Sequence, residues 1–106
     1  MDFLDMKCVP CEQGTPPLKP REVAAMLKRL PKGWKSLDGK AIAREYKFSS
    51  YPETMAFVNK IALIAQEEGH HPDMAVSYNR VVVEFSTHSI SGLSENDFIM
   101  AAKIDS

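Results

Sequence analysis

The three histidines of this 106-residue chain, His70, His71 and His88, lie within one short stretch of sequence. An imidazole titrates near neutral pH, so it can give or take a proton during a reaction. The nearby carboxylates that can set imidazole tautomers are Glu67, Glu68 and Asp73. If the strand that ends at His88 lies near the turn at positions 70–71, the three imidazoles converge on one pocket suited to acid–base catalysis.

Two other interpretations of the histidines remain open. A histidine is usually a surface or satisfied core residue, although the clustering of all three favours function. Imidazole is also a common zinc ligand. Adjacent side chains in an extended segment point to opposite sides, however, so His70 and His71 suit a single tetrahedral ion poorly.

The two cysteines, Cys8 and Cys11, are three positions apart in a proline-rich segment. Half of a structural zinc site has this spacing, but the other half is absent. The redox form of the motif opens a helix in a βαβ unit, and that context is absent too. Zinc shared between subunits, a labile disulfide and idle or structural thiols all remain open. The prolines predict that residues 1–19 form an arm, because proline removes backbone donors.

Local sequence signals predict the elements that must position the histidines. Residues 20–30 form a first helix whose apolar positions share one face. Asp38 and Gly39 predict a tight hairpin turn between strands 34–37 and 41–48. A second helix begins after Ser50, which has capping-box spacing to Glu53, and ends at Gly69. His70 and His71 then lie in an extended turn, because Pro72 disfavours helical backbone before it. The predicted buried face of the second helix comprises Met55, Phe57, Val58, Ile61, Ala62, Ile64 and Ala65.

A second hairpin joins strands 74–78 and 81–87, with Asn79 in the turn. Val81, Val83 and Phe85 line one face of its second strand. Ser94 is the predicted N-cap of a last helix, with Asp97 at the third helical position. The resulting order is helix-strand-strand-helix-strand-strand-helix. We predict an α+β fold in which a four-stranded antiparallel sheet carries the helices on one face, with residues 20–106 as the domain.

Composition limits the class of protein. Apolar residues make up 44% and charged residues 25%, which is typical of one globular domain. The formal net charge is −1, from 13 basic and 14 acidic residues, so direct nucleic-acid binding is not expected. No stretch has the roughly 18 apolar residues that span a bilayer, so we expect no membrane association. The low cysteine content favours a reducing, cytoplasmic location.

The sequence from about position 17 onward resembles the pterin-4a-carbinolamine dehydratases. The segments that carry the resemblance are Gly69–His70–His71–Pro72–Asp73, Tyr78–Asn79–Arg80, Ser86–Thr87–His88 and Gly92–Leu93–Ser94–Glu95–Asn96–Asp97–Phe98. A double histidine before proline, a third histidine at this distance and this helix start rarely coincide by chance. The Cys-Val-Pro-Cys arm is similar to one in some bacterial members.

The resemblance implies an enzyme, a hydro-lyase that dehydrates 4a-hydroxytetrahydropterin to quinonoid dihydropterin. That substrate is released by aromatic amino acid hydroxylases, so a functional link to such a hydroxylase and a role in recycling a tetrahydrobiopterin-type cofactor are implied. No metal or organic cofactor is expected, since the substrate's own nitrogen lone pair expels the hydroxyl. The alternative is a catalytically weak, oligomeric binding or regulatory partner of the same fold. Family members form dimers or tetramers, so a homo-oligomer is expected.

Carried over from the family, the catalytic residues are His70, His71 and His88. We expect His70 and His88 to exchange protons with the substrate and His71 to orient it. The expected substrate-binding residues are Asp73, Ser86 and Thr87. Three positions depart from the family pattern: Gln66 replaces a common glutamate, Met74 a common tryptophan, and Asn96 an arginine of the animal proteins.

Overall fold

Four antiparallel strands form one sheet, with two helices packed against β4, in a computed structural model that describes residues 2–10 and 15–106. The helices are α1 (Pro20–Leu27), α2 (Tyr51–Glu68) and α3 (Glu95–Ile104), and the strands are β1 (Lys35–Leu37), β2 (Ala41–Lys47), β3 (Asp73–Ser77) and β4 (Arg80–Phe85). Short 3₁₀ helices lie at Phe3–Asp5 and His88–Ile90. The strands lie in the order β1-β2-β4-β3, and the predicted fold class is confirmed.

The hairpins have the turns that the sequence predicts. Asp38 and Gly39 have φ values of 55° and 70°, as a type I′ turn requires. The Lys40 N–H closes this turn by donating to the Leu37 carbonyl at 3.0 Å. In the second hairpin, Ser77 pairs with Arg80, which leaves Tyr78 and Asn79 in the turn.

One face of the sheet supplies much of the core. Val81, Val83 and Phe85 share one face of β4, as predicted, and all three are fully buried. Ile42 of β2 pairs in register with Phe85. The predicted burial of α2 holds best at Ile61 and Ala65, whereas Ala62 is exposed, contrary to prediction. In α3, Phe98, Ile99 and Ile104 are buried. The core therefore lies between these helices and the face that carries Ile42 and the apolar residues of β4.

The helix ends follow their capping residues. The Ser50 side chain accepts a hydrogen bond from the Glu53 N–H at the start of α2, and Gly69 ends that helix with a φ of 69°. At the start of α3, the Asp97 carboxylate accepts from the Ser94 N–H at 3.0 Å. No helix in the described part of the chain is long and apolar enough to cross a membrane.

Two predicted boundaries were wrong by two or three residues. The first helix ends at Leu27 instead of position 30, because the N–H groups of Arg29 and Leu30 bond to carbonyls only three residues back. Leu30 also precedes Pro31, which disfavours helical backbone. Strand β4 ends at Phe85 instead of position 87. Thr87 leaves the ladder to form an isolated bridge with Gly92, so His88 begins a 3₁₀ helix instead of closing a strand.

The described part of the N-terminal arm packs on the domain. Phe3 is buried and stacks on Phe98 of α3, with 6.2 Å between ring centroids. The Leu18 N–H donates to the Leu93 carbonyl at 2.8 Å. Pro17 lies against Gly92 so closely that a Cβ at position 92 would come within 2.6 Å of the proline ring. The division between an arm (1–19) and a domain (20–106) remains a prediction, and these contacts place arm residues in the common core.

Asp105 anchors the chain just beyond α3. Its carboxylate accepts hydrogen bonds from Trp34 Nε1 at 2.6 Å, from Arg44 Nη1 at 3.0 Å and from the Tyr46 hydroxyl. Burial, reinforced by the hydrogen bond to Asp105, raises the pKa of Tyr46 well above its ordinary value. This cluster ties the C-terminal end of the chain to β2 and to the residue that precedes β1.

Candidate active site

The three histidines line a single cavity of about 540 Å³. The residues around it are Cys8, Val9, Pro10, Glu68, Gly69, His70, His71, Pro72, Asp73, Ser86, Thr87, His88, Ser89 and Asn96. The cavity thus lies where the end of α2 meets the segment after β4. The predicted convergence of imidazoles from two separate junctions is confirmed.

His70 is the most firmly held of the three imidazoles. Gly69 turns the chain out of α2 in the left-handed conformation, and the His70 N–H still bonds to the Ala65 carbonyl at 3.3 Å. The ring stacks on Phe85 at 6.1 Å between centroids, with an interplanar angle of 13°. Its Nε2 atom lies 2.6 Å from Oδ1 of Asp97, and its side chain is 13% exposed. One ring nitrogen is therefore fixed, and the ring borders the cavity.

Asp97 holds His70 from a fully buried position. Its Oδ2 atom accepts from the Thr87 hydroxyl at 2.9 Å and from the Ser94 N–H at 3.0 Å, while Oδ1 faces His70. Ser94 and Thr87 also bond to each other through their hydroxyls at 2.7 Å. An ionised carboxylate only accepts, so in this arrangement His70 donates from Nε2–H. The other nitrogen, Nδ1, is then the one that can exchange a proton with a ligand.

The sequence predicted only a helix-capping role for Asp97, and its contact with an imidazole was not predicted. Local spacing shows the cap, because Ser94 and Asp97 are three residues apart. It shows nothing of His70, which lies 27 residues away in sequence. The signal that was present is chemical: a carboxylate has two oxygens, and the cap uses only one of them.

His71 and His88 are more exposed than His70. The His88 side chain is 77% exposed, and its Nε2 atom lies 4.0 Å from Oδ2 of Asp73, which is longer than a hydrogen bond. Asp73, predicted to orient an imidazole or to bind the ligand, thus faces His88 at the start of β3. His71 is exposed at the cavity between Gly69 and Pro72. These two imidazoles have room to move toward a ligand.

Ser86 and Thr87, both predicted to bind substrate, line the cavity. Ser86 is half-buried. Thr87 is buried, and its N–H donates to the Gly92 carbonyl at 2.8 Å. Its hydroxyl bonds to Asp97, as described above. A substrate-binding role for both residues remains a prediction, and Thr87 also supports the carboxylate that holds His70.

Glu68 lines the cavity, but its carboxylate accepts hydrogen bonds from α3 and from the N-terminal arm. Lys103 Nζ donates to its Oε2 atom at 2.8 Å, and the Cys8 N–H donates to Oε1 at 2.9 Å. These two hydrogen bonds, the one from Lys103 first, lower the pKa of Glu68 below its ordinary value of 4.5. Glu68 therefore joins the arm to α2 and α3.

The arm forms part of the cavity wall, a role that the sequence did not predict. Cys8, Val9 and Pro10 all border the cavity. Cys11, the other half of the Cys-x-x-Cys pair, lies outside the described residues, and the role of the pair stays open. Among residues 2–10 and 15–106, no three His, Cys, Asp or Glu side chains are grouped to hold a metal ion.

The three departures from the family pattern occupy different places. Gln66 is exposed on α2, and Met74 is half-buried against the core. Asn96 is buried and lines the cavity. Of the three, Asn96 therefore has the most direct bearing on the site.

Comparison with known proteins gives consistent matches. The family model of pterin 4 alpha carbinolamine dehydratase matches residues 16–106. A relative from Nitrosomonas eutropha, assigned as a pterin-4-alpha-carbinolamine dehydratase, is 53% identical over 98% of this chain and 91% of its own. A relative from Alkaliphilus metalliredigens with the same assignment is 43% identical over 98% of this chain and 94% of its own.

Two solved structures share the fold. A transcriptional coactivator/pterin dehydratase from Brucella melitensis has a TM-score of 0.79 and 38% identity, covering 84% of this chain and 95% of that one. A pterin dehydratase-like RuBisCO assembly factor of the alpha-carboxysome has a TM-score of 0.59, covering 69% of this chain and 86% of that one. Its identity of 23% makes it similar in fold alone.

Proposed function

The chain belongs to the pterin-4-alpha-carbinolamine dehydratase family, and we propose that it converts a 4a-hydroxytetrahydropterin to quinonoid dihydropterin and water by histidine acid–base catalysis. The observation that supports this most is the cavity lined by His70, His71 and His88, one of which a buried carboxylate holds in place. A hydro-lyase reaction of this kind needs two proton transfers, and this cavity offers imidazoles for both.

The proposed step balances without a cofactor. An acid protonates the hydroxyl on the carbon next to a ring nitrogen, and the carbon–oxygen bond breaks to release water. The lone pair of that nitrogen forms the new carbon–nitrogen double bond. A base removes the proton that the nitrogen carried. The acid has then lost one proton and the base has gained one, so the total number of protons on the enzyme is unchanged. Each positioned acid or base contributes on the order of 10²–10⁴-fold in rate.

His70 is the proposed base. Asp97 accepts from its Nε2–H, which leaves the lone pair of Nδ1 for the substrate N–H proton. The same carboxylate stabilises the imidazolium that forms when that proton arrives, as in other Asp–His pairs. Thr87 and Ser94 hold Asp97 in this orientation, so they are positioning residues in this proposal.

His88 is the proposed acid, and His71 is the proposed orienting residue. His88 begins the 3₁₀ helix near Asp73, and its exposed side chain can approach a hydroxyl of a ligand in the cavity. Asp73 carries oxygens that can accept the N–H donors of a pterin, and Ser86, which lines the same cavity, offers a hydroxyl. His71 borders the same cavity and can hydrogen-bond the flat ring.

Alanine replacement of each histidine, with the dehydration of a 4a-carbinolamine as the assay, tests the proposal. We expect His70→Ala and His88→Ala to lower kcat by about 10²–10⁴-fold and His71→Ala to act mainly on KM. Lys47→Ala, at an exposed residue of β2, is the control for substitution in general. Unchanged rates in all three histidine variants would rule the proposal out.

The wider context is also part of the proposal. Recycling of a tetrahydropterin cofactor in the cytoplasm, beside an aromatic amino acid hydroxylase, fits the reaction but rests on the family alone. Self-association is supported by exposed apolar side chains of the second hairpin, Val76 of edge strand β3 and Tyr78 of the turn that follows it. Light scattering on the purified chain measures the subunit number, and a monomer at micromolar concentration would contradict it.

A second candidate is a binding or regulatory role without strong catalysis. The Brucella melitensis neighbour is described as a transcriptional coactivator as well as a pterin dehydratase, which favours keeping this alternative. The same assay separates the two, because a regulatory protein does not need the proton transfers that His70 and His88 supply. A wild-type protein that binds a partner but dehydrates no carbinolamine would favour the alternative.

A further inference from the structure

The side chain of Asn96 holds the N-terminal arm through hydrogen bonds to the backbone of the arm. Its Nδ2 atom donates to the Val9 carbonyl at 2.6 Å, and the Val9 N–H donates to its Oδ1 atom at 3.0 Å. The side-chain amide thus pairs with Val9 as a neighbouring strand would, satisfying both of its main-chain groups. Asn96 is only 5% exposed and lies in the first turn of α3, so the clamp has a rigid base.

The residue before Val9 is fixed at a second point. The Cys8 N–H donates to Glu68, which Lys103 holds in turn, and the Cys8 thiol lies 3.7 Å from the Asn96 carbonyl. Contacts from α2 and α3 therefore hold two successive residues of the arm. A segment without regular structure gains a defined position through these contacts.

The position of this segment matters because it borders the cavity. Cys8, Val9 and Pro10 line it together with the histidines. Val9 is 63% exposed although it is apolar, so its side chain has apolar surface left to cover. The surrounding wall from His71, Asp73, Ser86 and His88 is polar. A flat heterocycle with apolar faces and polar edges needs both kinds of surface.

We propose that Cys8, Val9 and Pro10 form a specificity-determining wall of the active site, which contacts a part of the substrate that does not react. Asn96 is the positioning residue that holds this wall in place. The inference rests on the proposed dehydratase function and extends it to the choice of substrate. Since the wall makes the same contacts before and during the reaction, it acts on KM and leaves kcat nearly unchanged.

Two variants test the wall in different ways. Val9→Ala removes apolar contact but keeps the backbone clamp, and we expect KM to rise about three- to tenfold. Asn96→Leu removes the clamp, and we expect KM to rise about tenfold because the segment must order again when substrate binds. Leu4→Ala, at an exposed apolar residue of the same arm that does not border the cavity, is the matched control.

Trypsin cleavage after Lys7 provides a readout of the clamp that is separate from activity. Lys7 is exposed, but cleavage of the bond to Cys8 requires the clamped segment to leave its place. We expect faster cleavage in Asn96→Leu and wild-type cleavage in Val9→Ala. This pattern separates the position of the arm from its contact with substrate.

The outcomes distinguish this inference from the function on which it rests. Binding of a dihydropterin, followed by fluorescence, accompanies each kinetic assay. An active wild type with unchanged KM and unchanged dihydropterin affinity in both variants would overturn the wall alone. A wild type that binds dihydropterin but does not turn over would overturn the dehydratase function, and weaker binding in Val9→Ala would still support the wall. A wild type that neither turns over nor binds would overturn both.

Discussion

Two aspartates of the C-terminal region have similar surroundings, but we expect them to have different roles. Asp97, in the first turn of α3, accepts hydrogen bonds from His70, Thr87 and Ser94. Asp105, just beyond the end of that helix, accepts from Trp34, Arg44 and Tyr46. Each carboxylate has three donors, and the side-chain exposure of both is at most 7%. Hydrogen bonding and burial alone do not tell which of them serves chemistry.

The difference lies in what the donors can do next. The charge of Asp105 faces the guanidinium of Arg44, which stays protonated in proteins. The charge of Asp97 faces the imidazole of His70, which borders a cavity of about 540 Å³, and imidazole is the side chain that most often exchanges protons in catalysis. The guanidinium beside Asp105 keeps its proton, whereas the imidazole beside Asp97 can exchange a proton with a ligand in the cavity. The comparison therefore predicts catalysis at Asp97 and stability at Asp105.

Matched substitutions give the largest expected contrast. Asp97→Asn replaces the acceptor for His70 with a group that can also donate, so the imidazole loses its fixed tautomer. We expect kcat for carbinolamine dehydration to fall by about 10²–10⁴-fold. Asp105→Asn is expected to keep the wild-type kcat. Equal losses of kcat in the two variants would break the comparison, and circular dichroism checks that both remain folded.

We expect Asp105, in contrast to Asp97, to contribute mainly to the stability of the fold. Asp105→Asn leaves Arg44 without its carboxylate and forces an amide among three donors, so we expect the free energy of unfolding to fall by about 2–4 kcal/mol. Urea unfolding measures this change. Asp38→Asn, at an exposed turn residue, is the control. A loss of less than about 0.5 kcal/mol would show that the cluster does not anchor the chain end.

The Asp105 cluster also predicts an alkaline limit to stability. Burial raises the pKa of Tyr46 above its ordinary value of 10.0, so above pH 10 the unfolded chain ionises there while the folded chain does not. The contribution is complete below pH 10 and is lost as pH rises further, at no more than about 1.4 kcal/mol per pH unit. We expect Tyr46→Phe to flatten this decline in urea unfolding, with the exposed Tyr51→Phe as control. An unchanged slope in Tyr46→Phe would contradict the assignment.

Glu68 extends this comparison, because it borders the cavity but forms an ion pair with the ammonium group of Lys103. Its lowered pKa means that its stabilising contribution is present above its ordinary pKa of 4.5 and is lost as pH falls below that value. We expect Glu68→Gln to lower stability by about 1 kcal/mol at neutral pH and to flatten the acid limb of the stability curve. Glu67→Gln, at the exposed neighbouring residue, is the control. An acid limb that stays as steep as in wild type would remove Glu68 from the structural group.

The fold followed from the sequence because its signals are local. Asp38 and Gly39 specify their turn through their own backbone preferences, and Gly69 ends α2 for the same reason. The alternation of Val81, Val83 and Phe85 specifies which face of β4 is buried. The histidines were also identified from sequence, since their clustering and their family pattern lie within one stretch of the chain.

The missed features depend on contacts between distant residues. The bond between His70 and Asp97 spans 27 residues, and the clamp between Val9 and Asn96 spans 87. No periodicity or capping rule reports such a pair. The helix 20–30 and the strand 81–87 were each placed too long, because competing hydrogen bonds at Leu30 and Thr87 end them early. Residue types therefore indicated the chemistry, and three-dimensional packing determined which groups act together.

A double-mutant cycle on dehydration tests most directly whether His70 and Asp97 act as one catalytic unit. The rate is measured for wild type, His70→Ala, Asp97→Asn and the double variant under identical conditions. If Asp97 acts through His70, the double variant should be no more than about threefold slower than His70→Ala alone. Losses that multiply in the double variant, or a wild-type rate in Asp97→Asn, would contradict the account.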